Sequence, residues 1–176
     1  TEIGRLLQAG ADAAGIRFDA GVVARITDFV RGLPYFAQLL GLHAARSAVS
    51  RDSGVVEPPD LAYAVNRCLQ EAERGIVDSY SRALAGRRRA VLEEMLYAAA
   101  RCPADAYGVF DPAALEPSDA APPRAEQGEA LARLCEADYG AVLVPVAEVG
   151  RTRYRFANPM MRHYILMRIA RERDEP

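Results

Sequence analysis

The sequence predicts a mainly α-helical protein: a four-helix unit followed by a second helix-rich unit that carries a small β-hairpin. Three observations lead there. Apolar residues recur three and four positions apart through most of the 176 residues, the spacing that puts them on one side of a helix. Only "AVLVPVAEV" and "TRYRFAN", on either side of Gly150, have the β-branched and aromatic alternation of a strand pair. Helix punctuation falls at the ends of the periodic runs, with Asp19, Pro34 and Asn158-Pro159 at starts and Gly140 at a stop.

Taken in order, Ile3, Leu6 and Leu7 share one face of a helix from Thr1 to about Ala14. Asp19 caps a second helix whose Val22, Val23, Ile26, Phe29 and Val30 keep the helical period. A third helix, "PYFAQLLGLHAARSAVSR", begins at Pro34, where a missing N–H costs nothing, and continues through Phe36, Leu39, Leu40, His43 and Val49. "DSGVVEPPD" is expected to be a turn. A fourth helix is expected from about Pro59 to Leu84, through Leu61, Val65, Cys68, Leu69, Ala72, Ile76, Val77 and Tyr80.

The second unit opens with a helix over Arg87 to Arg101, followed by a short extended piece at "YGVF" and one helical turn at "DPAAL". A Pro- and Ala-rich loop, "EPSDAAPPRAEQG", leads into a helix through "EALARLCEAD". The hairpin and a last helix, "PMMRHYILMRIARER", complete the chain. Helix, short strand, helix, helix, strand, strand is the order of a winged helix. The expected domains are therefore residues 1–79, helical, and 80–176, a winged helix.

Bulk properties narrow the function. About half the residues are hydrophobic, and a chain of this length buries roughly 70% of its unfolded surface, so a real core is expected. The net charge of −2 supplies no global field toward nucleic acid or an anionic membrane. Three cysteines, Cys68, Cys102 and Cys135, are far apart and form no C-x-x-C, which points away from a disulfide framework or a zinc site and toward a reducing, cytoplasmic interior. "AVLVPVAEV" is too short to cross a membrane. All 22 basic residues are arginine; without lysine the chain has no P-loop and no Schiff-base lysine, and it is not expected to be an enzyme by itself. It begins at Thr1 with an element already amphipathic, so it is expected to be a piece of a longer protein.

The element order and the stretch "GLPYFAQLLG" together carry a resemblance. A four-helix unit with Gly-x-Pro leading into its third helix, followed by a winged helix, resembles the lid plus winged-helix region of AAA+ and STAND-type P-loop ATPases. "YRFANPMMRHYI" is similar to the last wing strand and final helix of such modules. The resemblance implies that Gly32, Pro34 and Tyr35 border the nucleotide, with Pro34 against the adenine of ATP or ADP. The phosphates would be held by a separate P-loop domain of the same parent chain, and no cofactor is expected on this piece alone. A protein partner is expected for the winged helix on its local charge. The arginine that often follows this glycine is replaced by Tyr35 or Phe36, which removes the basis for a γ-phosphate contact from this helix. The residue types suit the role: Gly32 lets backbone come close, and Pro34 offers a rigid apolar ring with no orphan donor. The same spacing also serves as plain punctuation between two packed helices.

A winged helix raises DNA binding as an alternative. Over Arg124 to Asp138 two arginines face four carboxylates, a surface that repels phosphate. Against this, Arg151, Arg153 and Arg155 alternate with Thr152, Tyr154 and Phe156, so all three guanidinium groups fall on one strand face. With "GRRR", Arg87 to Arg89, they could follow a phosphate backbone, or simply form a solvated face. A structural adaptor without nucleotide is the third alternative. His43 and His163, far apart in sequence, are expected to be packed histidines, and Met160, Met161 and Met167 core or interface filler.

Overall fold

A computed structural model describes residues 2–30, 33–116 and 122–172. The protein is mainly helical, with eight α-helices and five short strands among those residues. It divides into two compact units, Thr1–Glu71 together with Met167–Pro176, and Ala72–Leu166.

The first unit contains α1 (Glu2–Ala14), α2 (Ala20–Val30), α3 (Pro34–Ser50) and α4 (Pro58–Gln70). Its core is built from Ile3 and Leu7 of α1, Val22, Ile26 and Val30 of α2, Phe36, Leu40 and Ala44 of α3, and Leu61, Ala64 and Val65 of α4, all buried. Asp19 caps α2 as expected, its carboxylate accepting from the amides of Gly21 at 2.8 Å and Val22 at 3.4 Å. Two features differ from the expectation. The segment expected to be only a turn contains β2 (Val55–Val56), paired in parallel with β1 (Arg17–Phe18). Two-residue strands leave no period to detect, and their pairing spans residues far apart in sequence.

The second difference is the fourth helix, which is two helices: α4 ends at Gln70 and α5 runs over Arg74–Ala83. Apolar spacing continues across the break, which is why it reads as one helix. Glu71, the C-cap of α4, still has helical backbone angles. Its carboxylate accepts from Arg67 at 2.6 Å and lies 3.2 Å from Nε2 of the buried His43. Glu73 then takes an extended conformation, φ −57° and ψ 136°, and the helix restarts at Arg74. The division between the units falls at this break, between Glu71 and Ala72, whereas Ser79, the expected boundary, lies inside α5.

In the second unit α5 is followed by α6 (Arg89–Arg101), β3 (Val109–Phe110), a 3-10 turn at Pro112–Ala114, and α7 (Arg124–Arg133). A second 3-10 turn, Ala137–Tyr139, leads to β4 (Leu143–Glu148), β5 (Arg151–Phe156) and α8 (Pro159–Glu172), of which the part up to Leu166 belongs to this unit and the part from Met167 to the first. The sheet order is β3-β5-β4, antiparallel throughout, with Phe110 opposite Tyr154, and Leu143 opposite Phe156. One sheet face is buried through Phe110, Tyr154 and Phe156, with the Phe110 ring 6.2 Å from each of the other two. Leu92, Met95 and Leu96 of α6, Leu131 of α7 and Ile165 of α8 are buried in the same unit.

Two arrangements lock this unit. Arg162 of α8 donates from Nε to the Ala100 carbonyl at 2.7 Å and from Nη2 to that of Cys102 at 2.6 Å. It thereby satisfies carbonyls that the end of α6 leaves open. Gly140 stops the 3-10 turn in the left-handed region, φ 78°, and a Cβ there would collide with the Ser79 carbonyl. The helix expected to run through "EALARLCEAD" is shorter than expected, ending at Arg133, because Leu134 and Leu143 turn the chain through a backbone hydrogen bond of 3.0 Å.

Candidate functional site

The start of α3 holds the residues that the sequence singled out for nucleotide. Pro34 is the first residue of this 17-residue helix, and Leu33 occupies the cap position in an extended conformation with no side-chain cap. Leu33, Pro34 and Tyr35 are all exposed, Tyr35 to 60%. The next residue, Phe36, is buried and meets the Tyr35 ring edge-on at 5.7 Å. Thus an apolar Leu-Pro-Tyr step stands at the N-terminus of a helix anchored in the core by Phe36, Ala37 and Leu40. A helix N-terminus carries a partial positive charge, and apolar side chains beside it suit a flat, uncharged ring. Gly32 lies outside the described residues.

The arginines of β5 occupy one face, opposite the buried Tyr154 and Phe156. They do not act as a set. Arg151 contacts Glu148 at 2.9 Å and Asp111 at 3.0 Å. Arg153, only partly exposed, reaches Glu148 at 3.0 Å, Asp105 at 3.2 Å and the Val109 carbonyl at 2.9 Å. Hydrogen bonds from Arg153 and Arg151 hold the Glu148 carboxyl below its ordinary range. Asp105 is lowered first by the Val109 amide and then by other contacts, Arg153 among them. Two guanidinium groups are therefore matched by three carboxylates. Arg155 is exposed and has no charged partner among the described residues.

The sequence did not reveal Asp105 and Asp111 as partners, since they flank β3, some forty positions from β5. Glu148 was within reach, because a tight turn at Gly150 puts it opposite Arg151. In "GRRR", Arg88 lies 3.4 Å from Glu129 and Arg89 3.9 Å from Glu93. The acidic character of Arg124 to Asp138 is also redistributed. The helix α7 itself balances Arg124 and Arg133 against Glu126 and Glu129, and the excess, Glu136 and Asp138, lies beyond its end.

Elsewhere, burial pushes the Cys68 thiol up to about 12 and raises Cys102 and Cys135 as well, so all three stay protonated at neutral pH. Among the described residues no group of three or more His, Cys, Asp or Glu side chains is placed to hold a metal, and no helix is long and apolar enough to cross a membrane. Compared with protein-family models, curated proteins and solved structures, the chain matches none.

Proposed function

We propose that this chain is the lid and winged-helix part of an AAA+/STAND-like ATPase, which couples the nucleotide state of a P-loop domain in the parent protein to an interaction module. The observation that carries the reading is the exposed Leu33-Pro34-Tyr35 step at the start of α3. Left open, it places three apolar side chains in water beside a helix N-terminus. Set against an adenine it would bury them. Pro34 lies on the ring, Tyr35 borders it, and Gly32 allows the close approach of backbone.

The winged-helix half of the reading is supported by element order and by the sheet, in which the strand after α6 joins the outer edge of the last hairpin strand. Rotation of the lid on exchange of ATP for ADP would carry the following unit with it, provided the lid contacts the two nucleotides differently. The winged helix then engages a protein rather than DNA, because Arg151 and Arg153 are already neutralised by carboxylates of the same unit.

The test is the nucleotide affinity of the parent protein with Pro34→Ala. Losing a contact of 1–2 kcal/mol weakens binding roughly 5–30-fold, with helicity and thermal unfolding of the lid unchanged. Unaltered affinity would refute the assignment and leave Pro34 as helix punctuation.

A further inference from the structure

We draw no further inference here: the strongest candidate, the apolar groove of about 240 Å³ between α1, β1 and α3 of the first unit, lined by Leu6, Gly10, Ala14, Phe18 and Leu42 among others, carries none, because nothing in the structure shows what covers it.

Discussion

Asp60 shows how one residue can set the character of a unit. Its side chain is fully buried, yet it remains ionised, because it accepts from Arg51 at 2.6 and 3.1 Å, from the Ser47 hydroxyl at 2.8 Å and from the Glu57 amide at 2.9 Å. Burial alone would raise its pKa, but these hydrogen bonds outweigh it and hold the carboxyl below the ordinary range. A depressed folded pKa means stability that is complete above the unfolded value of about 3.9 and is lost as pH falls through the folded one. Acid unfolding monitored by circular dichroism should therefore show the first unit weakening below about pH 4. Asp60→Ala should cost about 1–3 kcal/mol near neutral pH and flatten that pH dependence; an unchanged acid transition would remove Asp60 from the account. Two glycines make a second contrast. Gly140→Ala and Gly150→Ala both force an alanine to positive φ, worth about 1–2 kcal/mol. Only the first also drives a Cβ into the Ser79 carbonyl. Chemical denaturation should rank Gly140→Ala as clearly the more damaging, and equal losses would contradict the contact drawn here.

At the scale of elements, most of the fold was legible because helices announce themselves locally. Asp19, Pro34, Gly140 and Asn158 each mark a boundary with side-chain or backbone chemistry contained within a few residues; the Asn158 carboxamide, for example, accepts from the Met160 amide at 2.9 Å. What was not legible depends on distant partners. The break after α4 comes at Glu73, whose backbone turns extended while the apolar spacing runs on, and apolar periodicity cannot register it. The β1–β2 pair is a meeting of two dipeptides about 38 positions apart. The arginine face of β5 was legible as geometry but not as electrostatics, because Asp105 and Asp111 belong to another segment. Its consequence is a prediction about nucleic acid. At low salt the β5 face should give no salt-dependent binding to duplex DNA, since with Arg151 and Arg153 paired Arg155 cannot by itself provide the several phosphate contacts that counterion release requires. Binding that vanished on neutralising Arg151, Arg153 and Arg155 would reverse this and favour a DNA-reading module.

For the molecule as a whole, the candidate nucleotide edge lies in the first unit and the paired arginines of β5 in the second. The sequence pointed to Pro34 and Tyr35 because Gly-x-Pro is a contiguous signal. The central claim is that the start of α3 faces adenine, and the most direct measurement is photo-crosslinking of the parent protein with an azido-adenine nucleotide. With no lysine in the chain, trypsin cuts only after arginine, and cleavage after Arg31 and Arg46 releases the peptide "GLPYFAQLLGLHAAR" intact. The account expects the label within that peptide, at Leu33 to Phe36, and its suppression by excess unlabelled ATP. Label confined to other peptides under the same competition would contradict it.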